Sequence, residues 1–179
     1  MNGITVIFII LAVLILYIIA KYNSLVSKRN KIKQAASGID VYLTQRFDLI
    51  PNLVECVKGY MTYEKEILTE ITEQRTKYLQ NKNLKDGELL ERKCNEVIAI
   101  AENYPELKAN EQFLNLQKNL SKIESQLQAA RRIYNAEVNV YNTTIQKFPG
   151  SFIASSFGFT EEEYFQAEEQ AKGNVTVNI

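Results

Sequence analysis

The chain has 179 residues, with 21 basic and 21 acidic side chains and no histidine. A balanced charge argues against a nucleic-acid partner, because phosphate contacts require an excess of lysine and arginine. The absence of histidine excludes imidazole catalysis and the zinc and di-iron motifs that need a histidine ligand. With only 7 glycines and 3 prolines, the chain is expected to form long, uninterrupted elements.

Residues 4–20 form an apolar run, ITVIFIILAVLILYIIA, which contains no charged side chain. A helix of about 20 residues crosses the roughly 30 Å hydrocarbon core of a bilayer, so the run predicts one transmembrane helix. A cleavable signal peptide is the alternative, but the preceding residues are not basic and no small-residue cleavage site follows. We therefore predict a retained anchor, with the lipid bilayer as one partner.

Basic residues are concentrated directly after the apolar run, and no acidic residue precedes Asp40. They are Lys21, Lys28, Arg29, Lys31 and Lys33. The positive-inside rule places the N-terminus outside the membrane and the large domain in the cytoplasm, and the basic residues can also contact anionic headgroups. Cys56 and Cys94 have no metal or redox spacing. A disulfide between them stays open, but two free helical thiols are favoured and fit a reducing compartment.

Apolar residues recur at intervals of three and four over residues 39–71, which is typical of a helix. The pattern continues through Pro51 without a change of phase. We favour one long helix with a kink at this proline over two antiparallel helices, because proline removes an amide donor and bends a helix. Arg46, Asp48 and Asn52 are expected to bond the main-chain groups that the kink leaves unpaired.

Two further helices are predicted before the C-terminal segment. Residues 81–90 are expected to form a loop, with Asp86 as the N-cap of a short helix over about residues 87–103. Pro105 is expected to open a helix that runs about 60 Å to Lys147, at 1.5 Å per residue. Its apolar stripe resembles that of a coiled coil with one stutter. The stripe comprises Phe113, Leu116, Leu120, Ile123, Leu127, Ala130, Tyr134, Val138, Tyr141, Ile145 and Phe148.

The C-terminal segment differs in composition from the helices before it. The sequence FPG is expected to end the long helix, and SFIASSFGF is apolar and suits contact with the bundle or with a partner. The candidate interaction residues in it are Phe152, Phe157 and Phe159. Thr160 and Glu163 have the spacing of a capping box, which predicts a short helix. The final residues, GNVTVNI, are expected to add a strand to another element or to fray.

Several motifs follow the apolar run in a set order. They are RFDLIPNLVECVKGY, YPELKANEQFLNLQ, AARRIYNAEVNVYN, FPGSFIASSFGF and YFQAEE, and together they extend over nearly the whole chain. In these motifs the sequence resembles the LemA family of bacterial membrane proteins. The resemblance implies a four-helix type of bundle carried by one span in the bacterial cytoplasmic (inner) membrane, and it brings no established catalytic activity. Gln45 is a departure, because the family often has a basic residue there.

The predicted fold is therefore all-α. An N-terminal transmembrane helix continues into a long-helix antiparallel bundle of the four-helix type, followed by a short C-terminal helix and a tail. The predicted segments are an extracytoplasmic N-terminus (1–3), the transmembrane helix (4–20), a basic juxtamembrane segment (21–34), the bundle domain (35–148) and the C-terminal segment (149–179).

The first candidate site is a polar group around the proline. Its members are Arg46, Asp48, Pro51 and Asn52, which are expected to meet Arg131, Tyr134 and Asn135 from the long helix. The group would form either a polar pocket or a kink whose main-chain groups are bonded across two packed helices, and we favour the kink. An ion pair there would fix helix register as much as stability, since desolvation offsets much of its Coulomb energy.

Tyrosines and acidic residues are the other candidates. Tyr134 and Tyr141 are one heptad apart, so each ring is expected to be half-buried with its hydroxyl at the bundle edge. Nucleic-acid stacking on them would need a basic groove, which the sequence does not offer. The acids between Glu161 and Glu169 radiate around the predicted helix and are expected to be solvated rather than to bind a metal.

The sequence thus predicts an interaction protein with no catalytic residue, metal or other cofactor. The first hypothesis is a membrane-tethered homo-oligomer that scaffolds or organises membrane components, since confinement to a membrane raises effective concentration. The alternative is a regulatory adaptor for a dedicated membrane enzyme or sensor. An enzyme is the least supported, because the sequence has no histidine, no activated cysteine and no glycine-rich phosphate loop.

Overall fold

The computed structural model describes residues 3–60, 65–82 and 84–165. This part of the chain is helical and contains no strand, which confirms the all-α prediction. Its helices are α1 (Gly3–Phe47), α2 (Ile50–Lys58), α3 (Lys65–Asn81), α4 (Leu84–Ala101), α5 (Pro105–Lys108), α6 (Glu111–Gln146) and α7 (Gly150–Phe157). The expected C-terminal strand, GNVTVNI, lies outside the described residues.

α1 contains the predicted membrane span. Almost all side chains of residues 4–20 are exposed on its surface. Within the described chain, only the helix that begins at Gly3 is long and apolar enough to cross a membrane, and its most apolar 18-residue stretch has a mean hydropathy of 3.1. Such a surface is stable in hydrocarbon and unfavourable in water, so α1 has the properties of a membrane anchor.

The chain divides into two compact units. The first combines Met1–Ala36 with Arg131–Ile179, and the second is Ser37–Ala130. The boundary at Arg131 falls inside the segment predicted as one bundle domain, because α6 contributes its first part to the second unit and its last part to the first. The core of the first unit contains Leu25, Ile32, Val138, Tyr141, Ile145, Ile153 and Ala154.

Two residues interrupt the helix between α1 and α2. The main chain passes Leu49 at helical angles (φ −85°, ψ −10°), and α2 begins at Ile50, so the chain continues onward here and does not form an antiparallel hairpin. Pro51 has no amide hydrogen, which frees the carbonyl oxygen of Phe47 four residues earlier. Arg75 Nε of α3 donates to that oxygen at 2.8 Å. The prediction that Arg46 or Asn52 would bond this carbonyl is therefore wrong, because Arg75 of α3 bonds it.

The start of α4 differs from the prediction. α4 begins at Leu84, so Asp86 lies in its first turn and is not its N-cap. Lys82 has a positive φ of 50°, and α3 and α4 together include most of the residues 81–90 that were expected to form a loop. Gly87 is buried, and a Cβ at this position would lie 3.0 Å from the ring of Tyr78. The absence of a side chain lets α4 approach α3 closely.

The predicted helix from Pro105 to Lys147 is divided in two, as α5 and α6. Asn110 Oδ1 accepts hydrogen bonds from the amides of Gln112 (2.9 Å) and Phe113 (3.2 Å), which starts a new helix. α6 buries or half-buries the predicted stripe as far as Ile145. Phe148 was wrongly included in the stripe. It is 86% exposed, because α6 ends at Gln146.

The apolar C-terminal segment forms α7, which packs Ile153 and Ala154 into the core of the first unit. Gly158 ends α7 with a φ of 72°, a left-handed conformation that glycine adopts at low cost. The short helix predicted from Thr160 is absent over residues 160–165, which have no regular secondary structure. Side chains of α6 hold these residues instead.

Candidate interaction site

The last described residues, 160–165, lie along α6 and run in the opposite direction to it. We call them the tail segment. Four side chains of α6 bond its main chain, and we call these side chains the tail clamp. The tail clamp consists of Tyr134, Asn135, Tyr141 and Asn142.

Two asparagines of the tail clamp each make a pair of hydrogen bonds with one residue of the tail segment. Asn142 accepts from the amide of Glu162 at 3.0 Å and donates to its carbonyl oxygen at 2.8 Å. Asn135 makes the same two bonds with Phe165, at 2.8 and 2.9 Å. A carboxamide presents one donor and one acceptor side by side, as does the edge of an extended chain. Each asparagine therefore bonds both main-chain groups of one tail residue, although the tail segment has no regular secondary structure.

Two tyrosines of the tail clamp add a second row of bonds. The hydroxyl of Tyr141 donates to the carbonyl oxygen of Thr160, and that of Tyr134 donates to the carbonyl oxygen of Glu163, both at 3.0 Å. Burial raises the pKa of both hydroxyls. The tyrosines thus remain protonated at neutral pH and keep the hydrogen that each donates.

The spacing of the tail clamp matches that of the tail segment. Each row repeats every seven residues on α6, which is about 10.5 Å of helix. The bonded positions repeat every three residues on the tail segment, which is about 10 Å of extended chain. Because these lengths agree, both rows stay in register without strain. The duplicated Tyr-Asn pair at 134–135 and 141–142 is the sequence signal for this arrangement, and Asn142 is the member that sequence reasoning missed.

Charged groups also hold the tail segment. Arg29 of α1 forms an ion pair with Glu162 at 3.2 Å. The guanidinium of Arg131 lies 4.6 Å from the ring centroid of Phe165, a cation–π distance. Gln146 donates to the carboxylate of Glu161 at 2.9 Å. Glu161 and Glu162 therefore bond side chains of the helices, while Glu168 and Glu169 lie outside the described residues.

The three candidate phenylalanines have different environments. Phe157 and Phe159 contact the ring of Tyr22, with centroid distances of 5.0 and 5.6 Å. Phe159 also packs against the core of the first unit. Phe152 is 69% exposed on α7. Only Phe152 and part of Phe157 are thus available to another molecule.

The polar residues near the proline have separate partners in the second unit. Arg46 is buried, with Nη1 donating to Glu91 at 2.9 Å and Nη2 to Asn95 at 2.6 Å. It also bonds Glu124. Sequence reasoning missed all three partners, which come from α4 and α6. Arg46 thus ties three helices together and does not serve the kink.

Asp48 and Asn52 do not cap α2. Asp48 accepts a hydrogen bond from Arg75 Nη2 at 3.1 Å. Asn52 is exposed and lines an open groove of about 340 Å³. Pro51 is also exposed. Arg131, Tyr134 and Asn135, which were expected to join this group, bond the tail segment in the first unit.

Neither described cysteine is set up for chemistry. Both Cys56 and Cys94 are free. Burial raises the pKa of the Cys94 thiol to about 12, and it also raises that of Cys56. A thiol held protonated is a poor nucleophile and a poor metal ligand. Over the described residues, no group of three acidic or cysteine side chains could hold a metal ion.

Comparison with known proteins identifies the family. The model of the LemA family matches residues 35–179, which is most of the chain. The chain belongs to the LemA family. It is 28% identical to Protein LemA of Metamycoplasma hominis, over 92% of this chain and 78% of that protein. The family resemblance that the motifs predicted is thereby confirmed.

This LemA-family chain is also similar to magnetosome proteins. It is 22% identical to Magnetosome protein MamQ 2 of Paramagnetospirillum magneticum, over 83% of this chain and 66% of that protein. It is 21% identical to Magnetosome protein MamQ of Magnetospirillum gryphiswaldense, over 83% of this chain and 65% of that protein. The chain thus spans about two thirds of the length of these two relatives.

Proposed function

We propose that this LemA-family protein is a membrane-anchored, non-enzymatic scaffold that self-associates by exchanging its tail segment between copies. The tail clamp carries the proposal, because its bonds go to main-chain atoms of an extended chain. Every copy presents the same tail segment, so the clamp of one copy fits the tail of another. Exchange of an identical element is a low-cost route to oligomers. Confinement to a membrane further raises the effective concentration of the copies.

The connection between α7 and the tail segment supports such an exchange. Only Gly158 and Phe159 separate α7 from Thr160. Gly158 has a φ of 72°, and a Cβ added there would meet no atom within 4 Å. Glycine adopts other main-chain angles at low cost. It therefore provides a hinge at which the tail segment can leave its own clamp. Departure of the tail segment here breaks the hydrogen bonds from the Gly158 and Phe159 amides to the carbonyl oxygen of Ala154, and the contact of Phe159 with Tyr22.

The proposed location is the bacterial cytoplasmic membrane, with the N-terminus outside and the large domain in the cytoplasm. The basic residues that follow the apolar run support this orientation through the positive-inside rule. Protease treatment of right-side-out vesicles should leave the large domain intact, and inverted vesicles should lose it. The opposite pattern would reverse the topology.

Two-tag cross-linking in native membranes tests the exchange. One tagged copy carries Asn139→Cys and a differently tagged copy carries Tyr164→Cys, both with Cys56 and Cys94 replaced by alanine. The Tyr164 hydroxyl lies 3.3 Å from Asn139 Oδ1, so a short bis-maleimide can join the two positions. Each chain holds one cysteine, so a product with both tags requires contact between copies. Exchange predicts that product.

Matched controls make the result specific. The control copy carries Glu137→Cys in place of Asn139→Cys. Glu137 is two residues before Asn139 on α6, so its side chain lies on nearly the opposite side of the helix. This control should give no product. A single chain with both Asn139→Cys and Tyr164→Cys shows that the reagent reaches the site. Cross-linking only within that single chain would refute exchange of the tail segment between copies. Co-purification of a stoichiometric foreign protein would then favour the alternative function as a regulatory adaptor.

A further inference from the structure

An open cleft lies in the first unit, between α1 and the end of α6, with a volume of about 500 Å³. Its basic members are Lys21, Lys28 and Lys147. Its uncharged polar members are Ser24, Asn139, Thr143 and Thr144. None of its described lining residues is acidic, so the cleft is strongly positive.

The lysines approach the cleft from two helices. Lys21 and Lys28 are seven residues apart, which places them on one face of α1 about 10.5 Å apart along its axis. Both are half-buried, while Lys147 at the end of α6 is exposed. Ser24 and Thr143 also line the cleft and add hydroxyl groups to it. The Lys21 ammonium lies over the Tyr17 ring, 5.5 Å from its centroid, and its flexible four-carbon stem allows it to turn toward the cleft. Lysine and hydroxyl side chains lining one space are the chemistry that binds a phosphate group.

The cleft begins where the membrane span ends. Lys21 is the first charged residue after the apolar run. Leu25 is 1% exposed in the core of the first unit, so the membrane-facing surface of α1 ends before it. Headgroup regions are about 5–8 Å thick on each side of the hydrocarbon, and lysine side chains extend toward them. The end of the cleft at Lys21 is thus at headgroup depth when α1 spans the bilayer, and Lys28 lies about 10.5 Å farther along α1.

Exposed aromatic residues stand beside the lysines. Phe148 lines the cleft and is 86% exposed, and Phe152 on α7 is 69% exposed. Large apolar side chains exposed next to a membrane span are stabilised when they enter the acyl boundary. The cleft therefore offers positive charge to a headgroup and an apolar edge to its chains.

We propose that this cleft binds the phosphate headgroup of an anionic phospholipid. The proposal rests on the membrane anchoring proposed above and does not depend on tail exchange. Bound lipid would hold the first unit at a set depth and angle on the membrane surface. A membrane rich in anionic lipid would then favour that arrangement over a freely tilting one.

Native mass spectrometry of the full chain tests the assignment. The protein is released from nanodiscs that contain equal amounts of phosphatidylglycerol and phosphatidylcholine, and the lipids retained by each copy are counted. Wild type should retain phosphatidylglycerol in preference. Each lysine near an anionic surface contributes roughly fivefold to binding, so Lys28→Gln with Lys147→Gln should lower that preference by about 25-fold. Lys118→Gln with Lys122→Gln removes the same charge elsewhere and should change little.

Further arms separate a lipid from free phosphate. Phe148→Ser should lower retention of phosphatidylglycerol, and added inorganic phosphate should not displace it. Displacement by inorganic phosphate with no effect of Phe148→Ser would overturn the lipid assignment. Equal retention of both lipids by wild type, or unchanged preference in the double lysine variant, would overturn the site itself.

The same experiments keep this proposal apart from the proposed function. The spectra report the mass of the oligomer separately from the number of bound lipids. The preference for phosphatidylglycerol can therefore still be measured if tail exchange is refuted. Carbonate extraction of native membranes reports anchoring. A protein that is extracted by carbonate would refute the anchoring on which the cleft depends.

Discussion

Replacement of Asn142 by alanine should release the inner end of the tail segment. The substitution removes both hydrogen bonds to the main chain of Glu162, at 3.0 and 2.8 Å. Each such bond contributes about 0.5–1.5 kcal/mol net, so the attachment should weaken by about 1–3 kcal/mol. The freed tail can be solvated by water, and the loss should therefore be local rather than global.

Hydrogen exchange, measured by mass spectrometry on the full chain in detergent, reports how far Asn142→Ala weakens the attachment of the tail segment. A loss of about 1–3 kcal/mol corresponds to roughly 5- to 150-fold faster exchange, at about 1.4 kcal/mol per tenfold. The acceleration should be greatest at the amide of Glu162. Asn135→Ala should instead accelerate the amide of Phe165, because it removes the bonds at the outer end.

Asn139→Ala is the matched control, since Asn139 is exposed and has one side-chain bond of 3.3 Å to the tail segment. It should change exchange by only a few-fold. Unchanged protection of Glu162 in Asn142→Ala would refute the tail clamp. An equal effect of Asn139→Ala would show that any change on this face of α6 loosens the tail.

Three other outcomes are expected. Arg46→Met should destabilise the second unit by about 3–5 kcal/mol in urea unfolding, because the buried Glu91 carboxylate loses the cation it pairs with. Adding Glu91→Gln to this variant should recover part of the lost stability. The absence of any recovery would contradict the ion pair. Gly150→Ala should lower the free energy of unfolding by about 1–3 kcal/mol and lower the thermal midpoint, because a Cβ there would collide with a main-chain carbonyl of α6. An unchanged midpoint would contradict this close packing of α7 on α6. Maleimide should label half-buried Cys56 before Cys94, because burial raises the pKa of the Cys94 thiol to about 12. Equal labelling rates for the two cysteines in the folded protein would contradict the burial of Cys94.

Local patterns in the sequence were sufficient for the helical class and for most of the buried positions. The uncharged run at 4–20 predicts a span because the physics of transfer into hydrocarbon depends on composition and length alone. The stripe of α6 predicts burial because helical geometry places residues three and four apart on one face. Phe148 shows the limit of this reasoning. Its spacing continues the stripe, but α6 ends two residues before it.

The partners of polar groups were decided by tertiary structure. Arg46 is adjacent to the kink in sequence, yet its hydrogen bonds go to α4 and α6, and the carbonyl freed by Pro51 is bonded by Arg75. Such bonds join residues far apart in the chain. Sequence periodicity shows which side chains face inward, but it does not show which donor will meet which acceptor.

The tail segment shows the same division most clearly. Thr160 and Glu163 carry a local signal for a helix, and this prediction was wrong over the described residues. The tail clamp satisfies both the amide and the carbonyl of Glu162 and of Phe165, which a single helical turn cannot do for its own ends. Composition and periodicity alone determined an all-α chain with an apolar anchor. Only the packed structure decided that its tail is extended, because the groups that hold it come from a helix about twenty to thirty residues away in sequence.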